Sequence, residues 1–199
     1  MIQVFDNILP SAYADSIDND VLNNIQYYYN RRSSMGNAEY SGNLYTDTNV
    51  FDRGQFTCPI LAEGHDNQSS NWYFNFLKPL IYTVQERVPN VSVERLNRIK
   101  FNLLVNRPDA PEFHYNIPHH DGVKGGTTVV YYVNDTDGDT FMFDQFHRAG
   151  YVPESLNIVE RITPKKNRIA VFDSDRYHAS SYPRINDARF IINFVFYPQ

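Results

Sequence analysis

The sequence predicts a mainly β fold with supporting α-helices: a double-stranded β-helix, or jelly roll, whose N-terminal helices pack on one sheet. Three observations lead to this prediction. In the first half of the chain, two segments carry apolar side chains at helical spacing. From residue 98 onward the pattern changes to a period of two. About eight short strands then follow the helices, joined by turns rich in Gly, Pro and Asn.

The first 97 residues are expected to supply helical support and a lid region. Residues 2–5 form a short edge strand, and Ser11 then opens a helix as its N-cap. A second helix is predicted over residues 70–88, capped by Asn71 and kinked or broken at Pro79. Each helix carries an apolar stripe at i, i+4 spacing: Tyr13, Ile17, Val21 and Ile25 in the first, and Trp72, Phe76, Leu80 and Val84 in the second.

Residues 27–70 show no sustained periodicity beyond a possible strand at Tyr27–Tyr29. Aromatic and Arg side chains are scattered there among Ser, Asn, Gly and Asp. One interpretation is a long ordered loop whose aromatic side chains pack on the sheet. The other is a substrate lid over residues 27–58, because long loops in compact domains are often functional.

The second half, residues 98–199, is predicted to form the jelly-roll core of a single domain that spans residues 1–199. Six of its strands are expected at 98–105, 127–133, 139–143, 156–162, 169–173 and 188–197. In the last of them, Phe190, Ile192 and Phe194 share one face and pack under the helices. The other face carries Arg189 and Asn193 and looks into the barrel. Arg189 is therefore predicted to be an interior arginine.

A candidate metal site lies in the segment Pro118–Gly122. His119 and Asp121 are two residues apart, so in an extended chain both point to one face while His120 turns away. His178 is available as a third ligand. Two neutral imidazoles and one carboxylate, with the remaining positions open, suit a non-haem Fe(II) that activates O2. Taken alone, a His-x-Asp pair is more often an unmetallated surface pair.

Arg189 follows His178 by eleven residues, on the next strand. Its guanidinium can pair bidentately with a carboxylate. A co-substrate that chelates iron at one end and carries a carboxylate at the other needs such a group, and 2-oxoglutarate is such a molecule.

As a set, His119, Asp121, His178 and Arg189 resemble the Fe(II)/2-oxoglutarate-dependent dioxygenases, most closely the prolyl-4-hydroxylase-like branch with its small phage-type members. The resemblance covers roughly Arg98 to Tyr197. It implies an enzyme that uses Fe(II), 2-oxoglutarate and O2, hydroxylates a substrate, and releases succinate and CO2. In this resemblance the first three residues bind the metal, and Arg189 holds the C5 carboxylate of 2-oxoglutarate.

Further co-substrate contacts follow from the same resemblance. Thr140 lies in a segment similar to the family's Gly-Gly-x-Thr element, although Asp137 replaces the first glycine. A threonine in this place helps to hold the C5 carboxylate. The tyrosine that the family places before its metal pair has no clean match here, and Asn102 and Tyr131 are the candidates for that role.

The resemblance favours a peptidyl proline as substrate, while a free amino acid, a small metabolite and a nucleobase remain alternatives. His114, Tyr115 and Asn193 are candidate substrate contacts, and His114 is otherwise an ordinary loop residue. Two other classes stay open: a cupin-like metal protein without 2-oxoglutarate, which Arg189 disfavours, and a non-catalytic jelly-roll binding module.

Composition and charge bear on the binding partners of the protein and on its cellular compartment. A net charge of −5, without a run of Lys or Arg, gives no strong signal for nucleic acid. The single Cys58 fits a reducing compartment, and neither a signal peptide nor a membrane-spanning segment is evident. A cytoplasmic protein with a peptide or small-molecule substrate is expected, and its oligomeric state is left open.

Overall fold

The computed structural model describes residues 1–34, 47–61, 68–150 and 153–199. Within them, two α-helices and ten strands follow one another along the chain. The helices are α1 (Ser11–Asn23) and α2 (Gln68–Arg87), and a short 3-10 turn spans Val93–Arg95. The strands are β1 (Ile2–Phe5), β2 (Tyr28–Asn30), β3 (Gln55–Leu61), β4 (Leu96–Val105), β5 (Thr127–Tyr132), β6 (Thr140–Phe146), β7 (Ile158–Ile162), β8 (Arg168–Asp173), β9 (Arg176–Ser180) and β10 (Ala188–Phe196).

The strands form two sheets in which every pair is antiparallel. The larger sheet has the order β1-β8-β5-β10-β4-β3-β2, and the smaller has the order β7-β6-β9. Val130 and Ile191 of the larger sheet and Met142 and Ile162 of the smaller one belong to a single buried cluster. The two sheets therefore enclose a core between them, and the predicted jelly roll is confirmed.

The helices cover the outer face of the larger sheet. Ile17 of α1 and Leu80 of α2 are fully buried in one cluster with Ile192 and Phe194 of β10. Because side chains alternate along a strand, the opposite face of β10 turns toward the smaller sheet. The prediction that helices pack on one sheet is confirmed. Neither helix described here is long and apolar enough to cross a bilayer.

Both predicted helix starts need correction. Pro10 precedes the first turn of α1, and its carbonyl accepts the N–H groups of Tyr13 and Ala14, so Ser11 is the first helical residue and not the cap. The second helix begins at Gln68, which places Asn71 inside it. Pro79 also lies inside α2, and the helix continues to Arg87. Pro79 is exposed, so water can satisfy the carbonyl that a proline leaves without a donor.

Strand β3 lies in the segment for which a long loop or lid was predicted. It pairs with β2 on one side and with β4 on the other. Pro59 interrupts the apolar alternation, and the register shifts between Pro59 and Leu61, which explains why the pattern was not legible. Of the predicted lid, residues 35–46 lie outside the described ranges. The described part brings Ser33 and Gln55 to the mouth of the site discussed next.

Candidate metal centre

The segment that carries His119 and Asp121 is fixed against β9 by backbone hydrogen bonds. His119 and His178 exchange N–H···O bonds of 2.9 and 2.8 Å as an isolated antiparallel bridge. The N–H of Asp121 donates to the carbonyl of Ser174 at 2.8 Å. These contacts bring three residues together that are up to 59 positions apart in the sequence.

One potential ligand atom from each of His119, Asp121 and His178 lies within 4.8 Å of the others. The Nε2 of His178 is 3.7 Å from the Oδ2 of Asp121. His120 lies outside this cluster and stacks on His147, with ring centroids 4.0 Å apart. The side chains of this segment therefore alternate in direction as the sequence predicted, with His119 and Asp121 on one face and His120 on the other.

The hydrogen bonds of the two imidazoles orient them for metal binding. The Nδ1 of His119 lies 3.1 Å from the carbonyl oxygen of Ile117, and the Nδ1 of His178 lies 3.1 Å from that of Arg176. A carbonyl oxygen accepts only, so each Nδ1 carries the proton and each Nε2 presents its lone pair. Backbone contacts of this kind fix the tautomer and the ring orientation of metal-binding histidines.

Three side chains hold the Asp121 carboxylate. Arg98 forms an ion pair with its Oδ1. The hydroxyl of Thr128 donates to Oδ2 at 2.7 Å, and the amide of Asn193 lies 3.5 Å from the same oxygen. Asn193 also accepts a hydrogen bond from Arg98 at 3.2 Å. Asn193, expected to contact substrate, is thus engaged with the groups that support the carboxylate.

The electrostatics favour the protonation states that a metal requires. Burial alone would raise the pKa of Asp121, but the Arg98 guanidinium and the two neighbouring histidines outweigh it and hold the pKa well below its usual range. Burial, reinforced by His178, lowers the pKa of His119 to about 3. Burial likewise lowers the pKa of His178. At neutral pH the cluster is one carboxylate and two neutral imidazoles.

Arg189 is 2% exposed and binds only neutral groups within the described ranges. Its Nε donates to the carbonyl of Gly138 at 2.7 Å, and one of its terminal nitrogens donates to the hydroxyl of Thr140 at 2.8 Å. No carboxylate in the part of the chain that the structure describes lies within 4.0 Å of the guanidinium. Burial lowers the pKa of this arginine. Asp139 acts on it electrostatically only from beyond 4.0 Å. A buried cation without an ion pair is costly, which is a reason to look for an anionic ligand here.

A narrow inner cavity connects the metal cluster to Arg189. His119, Asp121 and His178 line one part of it, and Asn102, Thr140 and Arg189 line the remainder together with Lys100, Val130, Ile191 and Asn193. The Oδ1 of Asn102 is buried and has no hydrogen-bond partner among the described residues. Asn102 and Thr140, both expected near the co-substrate, therefore lie in this cavity.

An open cleft of about 540 Å³ leads to the metal cluster from outside. Most of the residues that line it have polar side chains. The lining residues include Asn30, Arg32, Ser33 and Ser34 near β2, Gln55, Thr57 and Pro59 of β3, Arg98 and Lys100 of β4, and His120 and Tyr177. The volume lies in the range of small-molecule sites.

The expectation for Tyr131 is corrected by the alternation of β5. Tyr131 is fully buried in the cluster beneath the helices, on the face away from the cavity. Its neighbour Tyr132 faces the inside of the barrel. The hydroxyl of Tyr132 donates to Thr140 at 2.8 Å, and the Arg189 guanidinium lies 5.8 Å from its ring.

The expectations for His114 and Tyr115 as substrate contacts are also corrected. The Nδ1 of His114 bonds to the carbonyl of Pro111 at 2.7 Å, and its Nε2 accepts the N–H of Tyr182 at 3.0 Å, so both nitrogens anchor the loop. Tyr115 is 2% exposed and packs with Phe141 and Phe143 of the smaller sheet. Neither residue lines the cleft or the inner cavity.

The sequence interpretation did not assign roles to Arg98, Lys100, Thr128 and Tyr132. The first two share a strand face with Asn102, so the period of two in β4 could have placed them in the site. Thr128 and Tyr132 lie in β5, which is buried on both faces. In such a strand both faces are largely apolar, so the sequence does not indicate which face turns toward the helices and which toward the cavity.

Three solved structures show what the fold of this chain is similar to. An oxidoreductase of the 2OG-Fe(II) oxygenase family from Burkholderia pseudomallei has a TM-score of 0.61 at 13% identity, over 98% of this chain and 84% of that one. A Trichoplax adhaerens prolyl hydroxylase, in complex with a hypoxia inducible factor oxygen degradation domain peptide fragment, has a TM-score of 0.58 at 18% identity, over 99% and 83%. HygX from Streptomyces hygroscopicus, with nickel and 2-oxoglutarate bound, has a TM-score of 0.59 at 11% identity, over 100% and 83%.

No family model matches the chain, and no curated protein matches its sequence. The similarity is therefore one of structure, and at these identities it establishes the fold. It extends over nearly the whole chain, including the N-terminal half that the sequence resemblance did not cover. The chain has the fold of the 2-oxoglutarate- and Fe(II)-dependent oxygenases, as its His119, Asp121, His178 and Arg189 pattern predicted.

Proposed function

We propose that this protein is an Fe(II)- and 2-oxoglutarate-dependent dioxygenase that hydroxylates an organic substrate. One observation carries the proposal: a single cavity joins a His-Asp-His cluster to a buried arginine that forms no ion pair among the described residues. The two ends of this cavity match the two ends of 2-oxoglutarate, a metal-chelating keto acid and a distal carboxylate. When bound, Fe(II) and 2-oxoglutarate supply the activation of O2, with succinate and CO2 as products.

Each residue of the site would have its own role in binding the metal or the co-substrate. His119, Asp121 and His178 would hold the metal through Nε2, a carboxylate oxygen and Nε2. Arg189 would bind the C5 carboxylate, with Thr140 beside it as a hydroxyl partner. These residues would position the metal and the co-substrate and complement their charges. No acid, base or nucleophile from the protein is needed for these roles.

Two alternative classes account for less. A cupin-like metal protein without 2-oxoglutarate leaves the buried Arg189 unexplained. A binding module without catalysis leaves both the oriented imidazoles and Arg189 unexplained.

For the substrate, we propose a peptidyl proline on the strength of fold similarity to prolyl hydroxylases, one of which was solved with a peptide fragment. The open cleft above the metal cluster has room for such a segment. A free amino acid, a small metabolite or a nucleobase fits the same cleft, and its many polar side chains favour a polar molecule among them.

The first test is anaerobic titration of the protein with Fe(II) and then 2-oxoglutarate. We expect a weak visible charge-transfer band that requires both, and its absence in a His178→Ala variant. A folded protein that binds Fe(II) but shows no 2-oxoglutarate-dependent band would contradict the proposal. Succinate release in air, measured with and without proline-containing peptides, and a 16 Da mass increase on the peptide then test the substrate.

A further inference from the structure

Lys100 occupies a special position in the site. On β4 it lies between Arg98 and Asn102, on the strand face that looks into the barrel. It is the lysine that lines both the open cleft and the inner cavity in the described part of the chain. Its side chain therefore stands where the two spaces meet, beside the metal cluster.

The ammonium group of Lys100 forms no ion pair and no hydrogen bond within the described ranges. No carboxylate lies within 4.0 Å of it there, and Asp121 attracts it only from a greater distance. The neighbouring Arg98 differs, because its guanidinium contacts both Asp121 and Asn193. A partly buried ammonium without an ion pair or a hydrogen bond is costly to keep, and an anionic ligand would compensate for it.

Lys100 and Arg189 lie at different positions along the sheet. In the register of β4 and β10, Lys100 pairs with Asn193, whereas Arg189 pairs with Leu104. Four residues of strand separate the two positions, which corresponds to roughly 13 Å. Lys100 also lines the open cleft, which Arg189 does not, so of these two cations Lys100 is the one that a molecule in the cleft can reach.

The charges of the site leave Lys100 without compensation even when the co-substrate is bound. This argument rests on the proposed function. The two charges of Fe(II) and that of Arg189 are balanced by the two of 2-oxoglutarate and that of Asp121. Arg98 and Lys100 remain, and Asp121 is the one acidic side chain along the described cleft walls.

We propose that the substrate hydroxylated at this site carries an oxyanion, a carboxylate or a phosphate, and that Lys100 binds it. Thr57 and Gln55 line the same cleft. The hydroxyl of Thr57 accepts from Asn30, and one N–H of the Gln55 amide binds the carbonyl of Ser33. The Thr57 O–H and the second Gln55 N–H can therefore donate to such a group. An ammonium is a compact point charge without a fixed fork, so it suits either anion. Lys100 would then determine which substrates are accepted.

The test measures anion binding to the full chain loaded with Zn(II) as an inert metal and saturated with 2-oxoglutarate. The protein contains five lysines, so 13C-lysine labelling gives five side-chain signals. The Lys100→Met variant identifies the signal of Lys100. Acetate serves as the carboxylate probe and methyl phosphate as the phosphate probe. Binding of 2-oxoglutarate is followed separately from its own 13C signals.

We expect the Lys100 signal to shift with saturation upon addition of one probe, and the other four to move little. The probe's own resonance should show at least tenfold weaker binding to Lys100→Met, and unchanged binding to Lys165→Met, an exposed lysine near Asp6. Affinity for 2-oxoglutarate should be unchanged in Lys165→Met, and in Lys100→Met it should fall less than the affinity for the probe. The preferred probe distinguishes a carboxylate from a phosphate substrate.

Two results would overturn the inference. One is a Lys100 signal that moves no more than that of Lys165, a readout in the unaltered protein that does not depend on any variant folding. The other is equal anion affinity in Lys100→Met and in the wild type. If 2-oxoglutarate itself fails to bind, the proposed function is wrong, and the inference that rests on it is wrong as well. Because 2-oxoglutarate binding is measured separately, this outcome is distinguished from a failure of the inference alone.

Discussion

Replacement of Arg189 by Met probes the co-substrate end of the cavity. Methionine retains most of the apolar stem and removes the charge together with the hydrogen bonds to Gly138 and Thr140. The guanidinium is buried and has no carboxylate partner among the described residues, so its charge is free to pair with the C5 carboxylate. Loss of such a charge-assisted contact in a buried site costs about 2–5 kcal/mol. Affinity for 2-oxoglutarate should fall roughly 30-fold to several-thousand-fold.

The same variant should behave differently in a thermal melt with and without ligand. Without ligand, Arg189→Met removes two hydrogen bonds and also a buried charge that forms no ion pair, so the two effects oppose each other and the melting temperature should change little. At a 2-oxoglutarate concentration about 1,000 times the wild-type Kd, ligand stabilises the wild type by about 4 kcal/mol. The variant should gain at most about 2 kcal/mol under the same conditions.

The assay is 2-oxoglutarate affinity by calorimetry on metal-loaded protein, together with melts of the same samples. Arg168→Met is the matched control, since Arg168 lies on β8 and pairs with Asp6 away from the site. It should bind 2-oxoglutarate normally. Arg189→Lys should recover part of the affinity, because an ammonium keeps the charge and loses the fork. Unchanged affinity in Arg189→Met with a clearly lowered melting temperature would refute the reasoning and make Arg189 a structural residue.

Three further predictions concern the metal cluster. His178→Ala should abolish tight Fe(II) binding, whereas His120→Ala should leave it nearly intact, and equilibrium dialysis with iron analysis compares the two. Thr128→Val removes the hydroxyl that holds Asp121 and should weaken metal binding about 10- to 100-fold in the same assay, and an unchanged affinity would count against a supporting role. The pKa of His119 is lowered to about 3, so between pH 3 and its ordinary value near 6.5 the unfolded chain binds more protons than the folded one. The free energy of unfolding of the metal-free protein should therefore fall as the pH is lowered through this window. Measured by urea unfolding, this free energy should depend less steeply on pH in His119→Asn than in the wild type. Equal pH dependence in the two proteins would argue against the lowered pKa of His119.

Much of the site followed from local periodicity. The spacing of His119 and Asp121 fixes which side chains share a face, because successive residues of an extended chain point in opposite directions. The same rule placed Arg189 on the inner face of β10, opposite Phe190. These features depend on neighbours along the chain, and the structure shows each of them.

The errors occurred where the local pattern carries no information. β5 is apolar on both faces, so its sequence could not say whether Tyr131 or Tyr132 faces the cavity. His114 looked like a free loop residue, yet it binds the N–H of Tyr182, 68 residues away. In β3, Pro59 obscures a strand whose pairing with β4 supplies the missing signal.

The sequence by itself determined the fold class, the helices that brace one sheet, the shared face of the His-x-Asp pair and the inward direction of Arg189, since these follow from the geometry of a helix or a strand. The family resemblance added His178 to the candidate ligands. Only the tertiary structure decided which polar groups have partners. Arg98 meets Asp121 across 23 residues, while Lys100, on the same face of the same strand, meets no carboxylate in the described part of the chain. The physical reason is that strand alternation sets the direction of a side chain, whereas charge compensation depends on segments that are distant in sequence and adjacent only after folding.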